Sequence, residues 1–249
     1  MQVHEWMTAN PITVSPNAAC SDAFRWMFLM ELHALPIVDK KGQLVGILTE
    51  KDLLCALPTS TALLSVYEID SLFGEMKVEK VMTRRVISVS EDCPLEEAAR
   101  ILVDNKIRSL PVTGGQKLVG IITRTDIFRV MMETMGGRSE GLRVTIQLRE
   151  DKGELGSITD GIIHLGGKLV NLSTFWGDDP LKRKLTFKVR GINREELLLM
   201  LERTIGVQVI DYCESSAESE PHAISQATNF GVFPIQNLDA KIPWPLDLK

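Results

Sequence analysis

The sequence predicts an α+β protein that consists of a duplicated unit followed by a second unit of a different kind. Two observations indicate this class. Residues 44–52 recur at 118–126, and each copy is an apolar run with one glycine, followed by Thr-x-x-Asp at the start of a helical pattern. From residue 142 onward, apolar and polar residues alternate over longer stretches, which is typical of strands with one solvent-exposed face. The chain therefore divides into a repeated part and a part without that repeat.

The duplication covers a longer stretch than these nine residues. Met7-Thr8 corresponds to Met82-Thr83, and Leu35-Pro36 corresponds to Leu110-Pro111, both at a spacing of 75 residues. Gly46 and Gly120 are 74 residues apart, so one residue was lost in the intervening hairpin. Two copies that differ by one small deletion indicate a domain duplication and not a solenoid of many short repeats.

Each copy has the same predicted order of elements. The first copy, residues 1–57, contains a short strand, a helix, a β-hairpin and a second helix, at about 12–14, 21–32, 35–48 and 51–57. The second copy, residues 78–136, contains the same elements at about 86–89, 94–105, 110–122 and 124–135. The two copies are joined by a connector, residues 58–77, in which a capping box at 65–68 predicts a short helix that ends near Gly74.

The second unit, residues 141–213, has the predicted order β-α-β-β-α-β. Gly136-Gly137 closes the duplicated part and serves as a linker. The strands and helices are expected at about 142–148, 154–165, 169–176, 181–190, 194–204 and 207–212. This order is a split βαβ unit with its helices on one face of the sheet. The tail, residues 214–249, is either disordered or an extended arm that lies on another surface.

Composition and charge exclude several classes of protein. The hydrophobic share of 44% and the charged share of 24% are those of an ordinary globular protein. A net charge of −5 gives no reason to expect nucleic acid or an anionic membrane as partner. We expect no signal peptide, because the N-terminus lacks a basic and an apolar region, and no apolar run is long enough to span a membrane. The four cysteines are scattered, so we expect reduced thiols in a cytoplasmic protein and no metal site.

The two Thr-x-x-Asp segments, Thr49–Asp52 and Thr123–Asp126, are the candidate functional feature. Each of them is called a corner below. A helix start presents unpaired N–H groups and a partial positive charge, so it can hold a phosphate. The structural alternative is a capping box, in which Thr49 or Thr123 caps the helix and Asp52 or Asp126 returns a bond to the cap. The two roles are compatible, because an aspartate can leave its cap for a ligand.

With Met-Thr and Leu-Pro upstream of each Gly-h-h-Thr-x-x-Asp segment, where h is an apolar residue, residues 1–136 resemble a tandem pair of CBS domains. Residues 141–213 resemble a ferredoxin-like ACT domain, with Gly153-Glu154-Leu155 opening the first helix and Gly166-Gly167 closing it. The order of the domains resembles the acetoin-utilisation protein B family, whose members regulate two-carbon metabolism.

The resemblance implies a sensor that binds AMP, ADP, ATP or S-adenosylmethionine in clefts between the two repeats. It assigns Asp52 and Asp126 to the ribose hydroxyls and the threonines of the corners to ribose or phosphate. It places backbone near the adenine and cations near the phosphate. The nucleotide-binding residues implied in this way are Thr13, His33, Ala34, Leu35, Thr49, Lys51, Asp52, Ser88, Arg108, Ser109, Leu110, Thr123, Arg124 and Asp126.

The two implied clefts are not equivalent. The second copy carries Arg108 and Arg124, two fixed charges suited to bidentate contact with phosphate. The first copy has His33, which is mostly neutral at pH 7, and Lys51 beside an acidic residue. We therefore expect the cleft of the second copy to bind a phosphorylated ligand more tightly.

In the ACT-like unit the resemblance implies an effector site at Gly153 and Leu155. Two positions depart from the family: Lys152 replaces the usual proline, and Leu169 stands where an asparagine is usual. Dimerisation through the sheet edge or the helices is the alternative role of this unit. His164 is expected to interact with the C-terminal end of its helix, and Lys182-Arg183-Lys184 is expected at a solvated strand edge.

The sequence indicates a protein without catalytic residues or a cofactor. It contains no His-Glu-x-x-His or Walker motif. The leading hypothesis is a cytoplasmic regulatory sensor that binds an adenine nucleotide and signals through a homodimer. The alternative is a structural adaptor that joins partner subunits and binds no small molecule.

Overall fold

A computed structural model describes residues 1–56, 73–74, 76–149, 154–176 and 182–215. The chain forms two compact units, Met1–Gly137 and Arg138–Lys249, and each is described by itself. The helix predicted from the capping box at 65–68, the turns around 150–153 and 177–181, and residues 216–249 of the tail lie outside the described residues.

The first repeat contains two helices and a hairpin. Its elements are β1 (Thr8–Ala9), α1 (Cys20–Leu29), β2 (Ala34–Val38), β3 (Leu44–Thr49) and α2 (Glu50–Ala56). Helix α1 ends three residues before the predicted Leu32. Glu31 adopts a left-handed backbone conformation, φ 52°, and Leu32 N–H donates to the carbonyl of Met27 at 2.8 Å, which closes the helix.

The second repeat has the same order and the same helix ending. Its elements are β4 (Val89–Ser90), α3 (Leu95–Asp104), β5 (Ser109–Gly114), β6 (Lys117–Thr123) and α4 (Arg124–Thr134). Lys106 has φ 54°, and Ile107 N–H donates to the carbonyl of Leu102 at 3.1 Å. Strand β4 is shorter than the predicted strand at 86–89, because it pairs with β5 through Val89 and Ser90.

The first segment of each repeat pairs with the other repeat. Thr8 and Ala9 of β1 pair with Ile121 and Gly120 of β6, and Thr83 is bridged to Ile47 of β3. The four-stranded sheet of the second repeat has the order β1-β6-β5-β4 and therefore includes a strand from the first repeat. The duplicated segments at 1–57 and 78–136 are therefore interlocked in the folded chain.

Two glycines make it possible for the first segment of each repeat to pair with the other repeat. A Cβ atom on Gly46 would lie 2.6 Å from Sδ of Met82, and a Cβ atom on Gly120 would overlap Sδ of Met7. Each Met-Thr pair therefore packs its methionine onto the glycine of the other repeat. Val3 belongs to the buried core of the second repeat, whereas Val78 and Met82 belong to that of the first. The hydrophobic effect consequently favours the exchanged pairing.

The second unit has the predicted β-α-β-β-α-β order. Its elements are β7 (Gly141–Arg149), α5 (Glu154–His164), β8 (Lys168–Trp176), β9 (Lys182–Arg190), α6 (Arg194–Arg203) and β10 (Val207–Ser215). The sheet is antiparallel with the order β10-β7-β9-β8. The alternate residues of β7, from Leu142 to Leu148, are buried with Ile158 and Ile162 of α5 and with Leu197 and Leu201 of α6.

Two features of this unit differ from the sequence expectations. Strand β10 continues to Ser215, past the predicted Tyr212, because Glu214 and Ser215 pair with Leu142 and Gly141. The basic run Lys182-Arg183-Lys184 is not at a sheet edge, because β9 lies between β7 and β8, and that expectation is wrong. The guanidinium group of Arg183 lies 5.2 Å from the centre of the Trp176 ring instead.

All four cysteines are free thiols, as predicted. Burial raises the pKa of the Cys20 thiol, which favours its neutral, unreactive form. Across the residues that the structure describes, no helix combines the length and the apolar character that a membrane crossing requires.

Candidate functional site

The two Thr-x-x-Asp corners have the same local geometry. Oδ2 of Asp52 accepts hydrogen bonds from the backbone N–H of Thr49 at 2.8 Å and from its hydroxyl at 2.6 Å. Oδ2 of Asp126 accepts the corresponding bonds from Thr123 at 2.8 and 2.7 Å. The threonine oxygens in turn accept from the aspartate N–H groups. Both corners are therefore capping boxes, and each box occupies one carboxylate oxygen.

The second oxygen distinguishes the two aspartates. Oδ1 of Asp52 accepts a long hydrogen bond, 3.4 Å, from the hydroxyl of Thr83, which belongs to the second repeat. Oδ1 of Asp126 lies 3.4 Å from the guanidinium group of Arg129 on the same helix. Asp126 is buried, with 8% of its surface exposed, whereas Asp52 is half-buried. The first carboxylate thus lies where the two repeats meet.

Two of the predicted phosphate-binding cations converge on an acidic side chain. Oε2 of Glu50 lies 3.1 Å from Nδ1 of His33 and 3.8 Å from the guanidinium group of Arg108. Glu50 and His33 belong to the first repeat and Arg108 to the second, so this cluster also joins the repeats. Lys51, the next residue of α2, is exposed.

Arg124 has a different environment. Its guanidinium group donates to the carbonyl of Ile107 at 2.8 Å and to that of Leu102 at 3.5 Å, at the C-terminal end of α3. The two arginines therefore have different contacts, because the Arg108 side chain reaches the first repeat and the Arg124 side chain bonds to the end of α3.

The backbone segments predicted to face the adenine lie beside the corners. Ala34 pairs with Thr49 across the first hairpin, and Ser109 pairs with Thr123 across the second. Leu35 and Leu110 are fully buried in the two repeat cores. A ligand at either corner would therefore meet the backbone of these segments and not the leucine side chains.

Ser88 lines a cleft of about 310 Å³ to which both repeats contribute. The other lining residues are Gln43, Leu44, Val45, Arg84, Val86, Thr113, Gly115 and Gln116. Nε2 of Gln43 donates to Oε1 of Gln116 at 2.7 Å, which ties the tips of the two hairpins together. Asp52 and Asp126 are not among the lining residues of this cleft. Thr13 is the counterpart of Ser88 in the first repeat. It is half-buried beside Val14, which is bridged to Ile37.

Sequence reasoning missed Glu50, Thr83 and Arg84. The duplicated Met-Thr pair was a visible signal for Thr83, but the sequence did not reveal which repeat its threonine would approach. Glu50 lies inside the recognised corner and could have been singled out as the acidic counterpart of Arg124.

In the second unit, Leu155 is exposed at the start of α5, and Gly153 lies outside the described residues. Nδ1 of His164 lies 2.7 Å from the carbonyl of Asp160 in the last turn of α5, as expected for a residue near a helix C-terminus. Within the described ranges, no three His, Cys, Asp or Glu side chains are grouped so that they could hold a metal ion.

A family model described as "CBS domain" matches residues 3–59 and 78–133. The CBS domain-containing protein YhcV of Bacillus subtilis is 30% identical over 143 residues, which cover 57% of this chain and 92% of YhcV. An uncharacterised protein of Methanocaldococcus jannaschii, MJ1225, is 32% identical over 129 residues, which cover 52% of this chain and 42% of that protein.

Two solved structures are similar in sequence to this region. One is a putative acetoin utilisation protein, AcuB, from Vibrio cholerae, 32% identical with a TM-score of 0.45, covering 53% of this chain and 90% of that one. The other is the CBS domain pair of protein MJ0100, in complex with 5'-methylthioadenosine and S-adenosylmethionine. It is 30% identical with a TM-score of 0.45 and covers 53% of this chain and 95% of that one.

Proposed function

The chain belongs to the CBS-domain family, and we propose that it is a non-catalytic sensor that binds an adenine nucleotide or S-adenosylmethionine between its two repeats. The observation that carries the proposal is that side chains of the second repeat face the first Thr-x-x-Asp corner, through the contacts of Thr83 with Asp52 and of Arg108 with Glu50. A ligand held at this corner contacts both repeats. Its binding therefore favours one arrangement of the repeats over others, which is the requirement for a signal.

The chemistry of the corner suits a ribose. A carboxylate has about four lone-pair sites, and the capping box of Asp52 uses the sites of one oxygen. The bond from Thr83 to the other oxygen is long, so a ribose hydroxyl can compete for that oxygen.

The proposed contact residues are those that the sequence indicated, with Thr83 added because of its contact with Asp52. Asp52 and Asp126 would bind ribose hydroxyls, and backbone beside the corners would face the adenine. The full set is Thr13, His33, Ala34, Leu35, Thr49, Lys51, Asp52, Thr83, Ser88, Arg108, Ser109, Leu110, Thr123, Arg124 and Asp126.

We further propose that the signal passes through a homodimer. Leu54 and Phe128 occupy equivalent positions in α2 and α4, and both side chains are about two-thirds exposed, at 67% and 66%. Exposed apolar side chains at matching positions of both repeats suit a symmetric contact between two copies of the chain. The unit order, which resembles the acetoin-utilisation protein B family, supports acetoin or acetate metabolism as the setting, with a regulated protein still to be identified.

The second unit is proposed to be an ACT-like unit. Its β-α-β-β-α-β order and β10-β7-β9-β8 sheet support this assignment. The edge strand β8 exposes Leu169, Phe175 and Trp176, which favours dimerisation over amino-acid binding at Gly153 and Leu155.

The alternative function is a structural adaptor without a small-molecule ligand. The specific observation in its favour is that both aspartates already serve as helix caps, and that Asp126 is buried beside Arg129. In this case the corners stabilise α2 and α4, and the exposed faces join partner proteins.

Isothermal titration of the full chain with AMP, ADP, ATP and S-adenosylmethionine tests the proposal. We expect heat of binding with at least one of the four, and a melting temperature that rises with the concentration of that ligand, because a ligand stabilises by RT ln(1 + [L]/Kd). Flat titrations and unchanged melting temperatures with all four would overturn the sensor and leave the adaptor.

A further inference from the structure

Positions 50 and 124 are structurally equivalent but carry opposite charges. Each residue directly follows the capping threonine of its corner. The N–H of Glu50 donates to the carbonyl of His33 at 3.4 Å, and the N–H of Arg124 donates to the carbonyl of Arg108 at 3.0 Å. His33 and Arg108 are themselves equivalent positions, so the backbone at these two places is the same and the difference lies in the side chains.

The Glu50 carboxylate already contacts both His33 and the Arg108 cation at the first corner. Its Oε2 lies 3.1 Å from His33 and 3.8 Å from Arg108, and the three side chains are all about half to two-thirds exposed. A phosphate that approached Arg108 would have to displace this carboxylate or lie beside it. Either arrangement is unfavourable, because like charges repel at short range and Arg108 would lose the partner that it has.

At the second corner the residue equivalent to Glu50 is Arg124, which is positively charged. The guanidinium group of Arg124 bonds to the carbonyls of Ile107 and Leu102, which are neutral acceptors. These bonds fix the position of the guanidinium group. Neither acceptor is ionised, so the guanidinium group attracts a nearby phosphate.

We propose that Glu50 and Arg124 set the ligand class of the two corners. The first corner takes an adenosine compound without phosphate charge, such as adenosine itself or the sulfonium cation S-adenosylmethionine, and the second takes an adenine nucleotide. This inference rests on the proposed function, because it names the class of ligand for each proposed cleft. The protein would then respond to two different adenosine compounds at once.

Adenosine and AMP are the test probes, since they differ by one phosphate group. Each probe is titrated into the full chain carrying Asp126→Ala, which weakens the second corner, with and without Glu50→Gln. Glutamine keeps the shape of Glu50 and removes its charge, so we expect the affinity for AMP to rise about tenfold while that for adenosine is unchanged. In the Asp52→Ala chain, Arg124→Gln should lower the affinity for AMP about tenfold more than the affinity for adenosine.

Glu96→Gln is the matched control, because it removes one negative charge from the exposed first turn of α3 and leaves the corner intact. The charge selection would be overturned if Glu50→Gln left the ratio of AMP affinity to adenosine affinity unchanged. It would also be overturned if Glu96→Gln raised that ratio equally. Either result would leave the sensor function standing. Failure of adenosine, AMP, ADP, ATP and S-adenosylmethionine to bind the unmodified chain would overturn both.

Discussion

Asp52 and Asp126 each use one carboxylate oxygen to cap the helix that follows, so the atoms around the second oxygen decide how the two residues differ. At Asp52 that oxygen faces a hydroxyl of the other repeat, and at Asp126 it faces Arg129. The capping bonds are nearly identical in length in the two corners. Substitutions at the two aspartates therefore remove matching capping bonds and differ in the contact of the second oxygen.

We predict that Asp126→Ala weakens the binding of AMP more than Asp52→Ala does. The positive charge of Arg124 lies at the second corner, whereas Glu50 opposes a phosphate at the first. Isothermal titration with AMP measures both affinities. Each variant loses one capping box, at a cost of about 1 kcal/mol in unfolding free energy, and thermal melting checks that the two costs agree. A greater loss of AMP affinity in Asp52→Ala would contradict the order.

At the scale of secondary-structure elements, the contact between a strand and a methionine explains the repeated glycines. Gly46 in β3 and Gly120 in β6 both lie against a methionine of the other repeat, Met82 and Met7. A side chain at either glycine would occupy the space of the sulfur atom. The glycine and the Met-Thr pair are thus duplicated together because the methionine of each repeat packs on the glycine of the other.

We expect Gly46→Ala to lower the free energy of unfolding by about 1–3 kcal/mol, because the new methyl group would lie 2.6 Å from Sδ of Met82. Met82→Ala, which leaves a cavity, should cost about 2–5 kcal/mol by itself. The cost of Gly46→Ala should shrink in the Met82→Ala chain, since the overlapping sulfur is gone.

Urea unfolding of the two single variants and the double variant measures this coupling. Costs that add within about 0.5 kcal/mol would show that the glycine and the methionine do not interact, and the packing explanation would be wrong.

At the scale of the whole molecule, the duplication presents the same apolar position twice. Leu54 and Phe128 are exposed on helices α2 and α4 of the first unit. We predict that Leu54→Asp together with Phe128→Asp weakens the dimer and raises the fraction of monomer, because charged side chains at the centre of an interface are costly to desolvate. Sedimentation velocity measures the change in mass.

Ile163→Asp is the control, because Ile163 is equally exposed, at 67%, on α5 of the second unit. It should leave the dimer intact. A dimer that survives the double substitution but dissociates with Ile163→Asp would assign the interface to the second unit and contradict the prediction.

The order of elements could be predicted from local patterns in both units. Apolar periodicity, the hairpin turn at Gly42 and the alternation from Leu142 to Leu148 are local properties, and the structure confirms the helices and hairpins that they predicted. The strand predicted at 12–14 is wrong, because only Val14 is bridged there, to Ile37, while the strand of this segment lies at Thr8–Ala9. The end of α1 was predicted less well, because Glu31 adopts a left-handed conformation that its residue type seldom favours. The predicted end of α3 lies within one residue of the observed end. The candidate corners were found because they occur twice, but Glu50 as a partner of Arg108 was not.

The amino-acid sequence alone determined that there are two copies of one unit, where the helices and hairpins lie in them, and that a different unit follows. Tertiary structure decided which copy receives Met7 and which receives Met82. The two copies are so similar that the local sequence is equally compatible with a methionine packed on the glycine of its own repeat or on that of the other repeat. Burial of Val3, Val78 and Met82 in the opposite repeat's core resolves that choice, because it depends on contacts between residues distant in the chain.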